Sequence, residues 1–169
     1  GWVRTGDLAL WHESELYVTG RSKEIIFVNG QNYYPHDIEA VLQAEPGLEL
    51  GKVAAAGVRN PQGSADELVL FVLHRSDLAA FVPIAMRAIH LVNEHAGVEV
   101  ARVVPVSRIP KTTSGKLQRT ALAKAFEDGE FARAFLDPAG ESEDVLGALG
   151  RFQRGPLRLG GLGSLNRGV

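Results

Sequence analysis

The order of apolar runs predicts an α+β fold: a small three-stranded sheet flanked by helices, preceded by a β-hairpin and followed by a Gly/Arg-rich C-terminal tail. Three observations predict it. Strand-like and helix-like periodicities alternate between residues 7 and 127. Turn-forming residues fall between those runs rather than inside them. The chain's 169 residues are 45% hydrophobic and 22% charged, near the averages of globular proteins and sufficient for a real core.

Residues 7–11 and 15–19 alternate partially with period two and are joined by His12-Glu13-Ser14, which reads as a β-hairpin. After Gly20-Arg21-Ser22, residues 23–28 form a β-prone run that ends at Asn29-Gly30, the strongest short turn signal present, because both residues tolerate positive φ. A helix is expected next. Pro35 sits at its start, Asp37 and Glu39 lie where the helix dipole favours negative charge, and Ile38, Val41 and Leu42 form its apolar stripe. Pro46-Gly47 is expected to end it.

Residues 52–58 and 67–74 read as paired antiparallel strands across the turn-rich segment 60–64. A long helix spans about residues 78–95 and stops at Gly97, with Pro83 as an alternative start. Residues 102–106 form a strand, 108–116 a loop, and 119–127 a last helix. From residue 137 the composition shifts: residues 137–169 hold eight Gly, and Arg151, Arg154, Arg158 and Arg167 carry all the positive charge. Residues 142–152 could make one short amphipathic segment. The expected division is one domain over 1–136 and a linker or tail over 137–169.

Composition also excludes functions. With no Cys, the chain has no disulfide, thiolate metal site or cysteine nucleophile. A net charge of −2 and a pI near 6.2 give no electrostatic footprint for nucleic acid. No run approaches the roughly 18 apolar residues of a membrane span. The chain opens on Gly1-Trp2-Val3-Arg4 with neither Met nor a signal-peptide layout, and reads as the interior of something longer.

Three segments carry residue types chosen for more than packing. In Arg4-Thr5-Gly6-Asp7-Leu8, Asp7 could accept hydrogen bonds from a vicinal diol such as ribose, although taken alone it is more simply a turn cap. Gly20-Arg21-Ser22-Lys23-Glu24 and the run from Gly30 to Glu39 could reach a phosphate or ribose, or form a solvated polar bend. In the run from Ile109 to Arg119, a mobile loop of Pro, Thr, Ser and Gly holds out Lys116, a point charge able to stabilise developing negative charge. Elsewhere such a lysine is simply a surface residue. A phosphate-binding P-loop fails here, because Pro110 stands where its first Gly should be and Leu117 replaces its hydroxyl.

Together these segments resemble the adenylate-forming superfamily, which includes acyl-CoA synthetases, fatty acyl-AMP ligases, peptide-synthetase adenylation domains and luciferases. The R-T-G-D motif matches Arg4, Thr5, Gly6 and Asp7, and the G-R-x-K/D hinge motif matches Gly20, Arg21 and Lys23. The G-x-N-x-x-P-x-x-I-E pattern matches Gly30, Asn32, Pro35, Ile38 and Glu39. The closing P-K-T-x-S-G-K-x-x-R matches residues 110–119 without a gap. The likeness covers about residues 1–136, the small C-terminal lid. It implies that the large N-terminal adenylation domain lies outside this chain, which alone is inactive.

The resemblance implies an ATP-dependent acid–thiol ligase. A carboxylic acid, fatty by the look of residues 30–39, is joined to ATP as an acyl-adenylate. It is then passed to the phosphopantetheine thiol of a carrier protein or to coenzyme A, with the carrier favoured. The lid rotates between the steps. Lys116 would be catalytic in adenylation and Asp7 and Arg21 would bind the nucleotide's ribose. Lys23 would be the hinge, and Gly30 would lie on the face meeting the thiol acceptor. Mg2+ would accompany ATP, bound outside this chain, and no residue here reads as a metal ligand. The expected partners are the protein's own N-terminal domain and an acyl carrier protein, and the expected compartment is the cytoplasm. Two other readings stand beside this one: an amino-acid adenylation domain of a peptide synthetase, and a non-catalytic module that docks to a carrier protein.

Overall fold

The computed structural model describes residues 1–60 and 65–131. Most of the turn at 60–64 and the segments expected at 137–169 and 142–152 lie outside the described residues.

The chain opens with an antiparallel hairpin of β1 (Asp7–His12) and β2 (Glu15–Arg21), with a bulge between Leu8 and Ala9. Its two-residue turn is Glu13-Ser14, and both residues take positive φ, 47° and 67°. Opposed pairs share a face, so Ala9 and Trp11 lie with Val18 and Leu16. That face is wholly apolar, yet Trp11 is 69%, Leu16 61% and Val18 67% exposed. Neither core cluster contains a residue before Ile26.

A 3-10 turn at Ser22–Glu24 follows, then a second small hairpin of β3 (Ile26–Val28) and β4 (Gln31–Tyr33). The β-prone run expected over 23–28 is therefore shorter, and β4 was not anticipated, since Gln-Asn-Tyr carries little apolar signal. The Asn29-Gly30 turn is as expected, with φ of 50° and 80°, the pair of left-handed residues that matches strand twist.

Helix α1 (Pro35–Leu42) starts on Pro35 and buries Ile38, Glu39 and Leu42. It ends four residues before Pro46, and single turns closed by Gln43 N–H to Ala40 C=O and Glu45 N–H to Leu42 C=O carry the chain onward.

The main sheet has the order β5-β6-β7. Strands β5 (Val53–Arg59) and β6 (Asp66–Leu73) are antiparallel, and β7 (Arg102–Val106) lies parallel to β6. The crossover between β6 and β7 is α2 (Leu78–Ala96). The Asp77 side chain caps it by accepting from the Ala80 N–H at 2.8 Å, and Gly97 ends it in a left-handed conformation. Pro83 lies inside α2. The Asp77 cap, six residues earlier, sets the start, and proline removes only one N–H from the early turns.

The central strand β6 is buried on both faces, as a strand flanked on both sides requires. Leu68, Leu70 and Val72 pack with α1, α2 and Ile26 on one face, while Val69 and Phe71 pack with Leu122 of α3 (Arg119–Glu127) on the other. Phe131 closes that second layer against the Phe71 ring, with centroids 5.8 Å apart. Among the described residues no helix is long and apolar enough to cross a membrane.

Candidate active site

The residues singled out by the sequence come from three places in the fold, and the structure brings most of them to one groove. Arg21 is the last residue of β2, and its Nε donates to Asp7 Oδ1, at the start of β1, at 3.1 Å. The two expected nucleotide-binding residues therefore form one cation–carboxylate pair across the open end of the hairpin, both partly exposed. Ser22 fastens the same place: its N–H and its hydroxyl both donate to the Gly6 carbonyl, at 2.9 and 3.1 Å. Lys23 follows in the 3-10 turn, exposed, with no side-chain partner among the described residues.

The segment read as a mobile loop around Lys116 is closed on itself. Lys111 and Leu117 form an isolated antiparallel bridge, Thr112 N–H donates to Lys116 C=O at 2.8 Å, and Gln118 N–H donates to Pro110 C=O at 2.9 Å. The Thr112 hydroxyl accepts from the Lys116 N–H at 3.1 Å and lies 3.0 Å from the Ser114 hydroxyl. Hydroxyl residues read as a sign of mobility instead hold a tight turn. The turn lifts the Lys116 side chain into solvent, where it too has no partner among the described residues.

Beside Lys116 lies a partly buried ion cluster, in which Glu39, expected only to meet the helix dipole, is instead matched by Arg119. Arg119, the first residue of α3, grips Glu39 of α1 with both tines of its fork, Nε and Nη2 each 2.7 Å from a carboxylate oxygen. Its Nη1 donates to Glu24 Oε2 at 3.1 Å. Glu39 also accepts from the Ala55 N–H of β5 at 3.0 Å, so one carboxylate ties together α1, α3 and the sheet. The hydrogen bonds that Arg119 donates to Glu39, reinforced by the Glu24 charge, raise the Arg119 pKa against the opposing effect of burial. Glu39 and Arg119 close two of the recognised motifs. The available signal that Glu39 points inward was its spacing, four residues after Pro35 and three before Leu42 on the buried face of α1.

Arg21, Lys23, Glu24, Lys116 and Arg119 line a common open groove of about 670 Å³. Arg21 is paired to Asp7, and Arg119 is neutralised by two carboxylates. Among the described residues, Lys23 and Lys116 are thus the lysines of this groove left to meet an incoming anion. Gly30 is not part of this groove. It sits on the β3–β4 turn beside Asn29, which lines a separate hollow of about 300 Å³ with Asp66, Glu67 and Glu99. Among the described residues no group of three or more His, Asp or Glu is placed to hold a metal ion.

Comparison with known proteins bears on this arrangement. No family model matches the chain. Over 141 residues it is 37% identical to a putative fatty-acid–CoA ligase, fadD21, of Mycobacterium leprae, spanning 78% of this chain and 24% of that protein. The long-chain-fatty-acid–AMP ligase FadD26 of Mycobacterium marinum is 35% identical, with 78% of this chain and 23% of the relative covered. A solved multidomain structure of a keto acid-selecting NRPS module, with adenylation, ketoreductase and pseudo Asub domains, superposes with a TM-score of 0.70. It is 36% identical over 78% of this chain and 11% of that one. The chain thus spans about a quarter of the length of the curated relatives it matches.

Proposed function

Because the chain belongs, as a partial-length homologue, to the adenylate-forming superfamily, we propose that it is the C-terminal lid of an ATP-dependent acyl-AMP ligase and acts with a large adenylation domain. The observation that carries this reading is the groove in which Lys116, unpaired among the described residues and held out on a hydrogen-bonded turn, faces the segment around Lys23. An anion-handling lysine needs that exposure, and a fixed turn limits the entropy lost when it meets its target.

In the first half-reaction a carboxylate oxygen of the acid attacks the α-phosphorus of ATP, and the bond to the bridging oxygen breaks as pyrophosphate leaves. Negative charge gathers on the α-phosphoryl oxygens and is shared with the incoming carboxylate. The Lys116 ammonium donates to both, stabilising the transition state more than the ground state. Asp7 accepts from the ribose hydroxyls, and Arg21, already bonded to Asp7, fixes that carboxylate's orientation. No ligand for the Mg2+ that accompanies ATP is assigned to this chain.

In the second half-reaction a thiol attacks the acyl carbonyl and AMP leaves. The lid has then turned about Lys23, and Gly30 on its separate face meets the acceptor. We assign the acid as fatty and the acceptor as the phosphopantetheine of a carrier protein, in keeping with the likeness to an AMP ligase. This ATP-consuming chemistry is placed in the cytoplasm.

The exposed apolar face of β1–β2 supports a large partner domain, because isolated globular surfaces rarely leave Trp, Leu and Val side by side in water. We propose that this hairpin packs on the adenylation domain, so that the moving body begins after Lys23 and runs through about residue 136, with 137–169 as a linker or tail.

Carboxylate-dependent ATP–pyrophosphate exchange by the full-length protein tests the reading, using a panel of fatty and amino acids. Exchange with a fatty acid that collapses in Lys116→Ala supports it. Exchange with amino acids alone moves the protein to peptide-synthetase chemistry, and no exchange with any acid leaves a docking module.

A further inference from the structure

The chain is fastened on both sides of Lys23, which itself has no side-chain partner among the described residues. Upstream, Ser22 is bonded twice to the Gly6 carbonyl and Arg21 is paired to Asp7. Downstream, Glu24 is bonded to Arg119 at 3.1 Å, and Arg119 is locked onto Glu39 by two bonds of 2.7 Å. Arg119 lies three residues beyond Lys116, and the turn between them is closed by the Gln118 N–H on the Pro110 carbonyl. A short path of charge-assisted hydrogen bonds therefore runs from the residue immediately after Lys23 to the base of the turn bearing Lys116. The side chains along it are 23% (Glu24), 17% (Arg119) and 9% (Glu39) exposed, shielded enough for the bonds to hold geometry.

We propose that Glu24 is a positioning residue for Lys116. Through Arg119 it makes the start of the moving body and the Lys116 turn one rigid piece, so that rotation confined to Lys23 delivers the ammonium to a fixed place. Without it, the few residues between Lys23 and Ile26, the first to enter the core, become slack, and the same rotation arrives with Lys116 displaced. The proposal rests on the roles given above to Lys23 and Lys116. It makes Glu24 the informative variant, because Arg119 keeps both of its bonds to Glu39, and with them the fold, when Glu24 is shortened.

The test uses the full-length enzyme and separates the half-reactions. Glu24→Ala should lower kcat for ATP–pyrophosphate exchange about ten-fold while KM for ATP changes less than about two-fold, the signature of a misplaced group rather than lost binding. Transfer of the acyl group from supplied acyl-adenylate to the thiol, a step in which Lys116 takes no part and only the broader face around Gly30 must arrive, should fall clearly less than exchange does. Glu24→Gln, which retains an acceptor for Arg119, should fall between Glu24→Ala and the parent. Unchanged exchange in Glu24→Ala overturns the proposal. So does an equal fall in both half-reactions, which would mark Glu24 as a residue of folding. Lys116→Ala in the same assay separates the two levels. If its exchange collapses and that of Glu24→Ala does not, only the positioning role is lost. If Lys116→Ala exchanges normally, the lid reading itself falls.

Discussion

Lys116 and Arg119 stand three residues apart and answer opposite physical demands. Lys116 has no side-chain partner among the described residues, so its charge is at the disposal of a ligand. Removing it should cost roughly 10²–10³ in exchange rate, the usual effect of deleting one preorganised donor at developing charge, with acyl transfer from supplied adenylate unaffected. Arg119 spends its charge internally. Deleting it strands the Glu39 carboxylate, only 9% exposed in its side chain, with the Ala55 N–H as its one remaining bond. Arg119→Ala should therefore destabilise the fold by about 3 kcal/mol, the scale of breaking one side of a buried ion pair, read as a fall in denaturation midpoint. The sequence separates these roles poorly. Both residues sit in one polar run with Thr, Ser and Gly, and only the positions of Glu39 and Glu24 reveal which cation is already matched.

At the scale of elements, local rules account for most of what forms. Periodicity, with Gly97 as a stop, placed α2 and α3 and the three strands of the main sheet to within a residue or two, because each buries an apolar stripe against that sheet. Asp77 shows the capping rule at work, and Asp77→Ala should cost about 1 kcal/mol by releasing the Ala80 N–H, measurable by chemical denaturation with function intact. The rules ran short where an element has little apolar content. Strand β4 is three residues held by pairing with β3, and the Glu13-Ser14 turn adopts a conformation usually left to Asn and Gly. The Lys116 segment was read as mobile for the same reason. Its order comes from hydroxyl–backbone bonds, which turn-forming composition alone does not distinguish from flexibility.

For the whole molecule, the groove depends on two pieces of chain nearly a hundred residues apart, the 3-10 turn at Lys23 and the turn at Lys116, and no local pattern predicts their meeting. Family motifs named both residues, but the cluster of Glu39, Arg119 and Glu24 supplies the physical reason they face one groove. The same geometry sharpens what proline at Lys23, the proposed hinge, should do. Proline fixes its own φ and pushes the residue before it out of the helical region, and here that residue is Ser22, which opens the 3-10 turn and holds Gly6. Lys23→Pro thus stiffens the swivel and resets its resting angle without touching the groove's other side chains. The full-length variant should keep one half-reaction within about two-fold of the parent while the other falls at least about ten-fold, as expected when one of two conformers is removed from the equilibrium. Measuring exchange and transfer side by side decides it: an equal loss in both would mean that Lys23 carries structure rather than rotation, and an equal retention would put the swivel elsewhere in the chain.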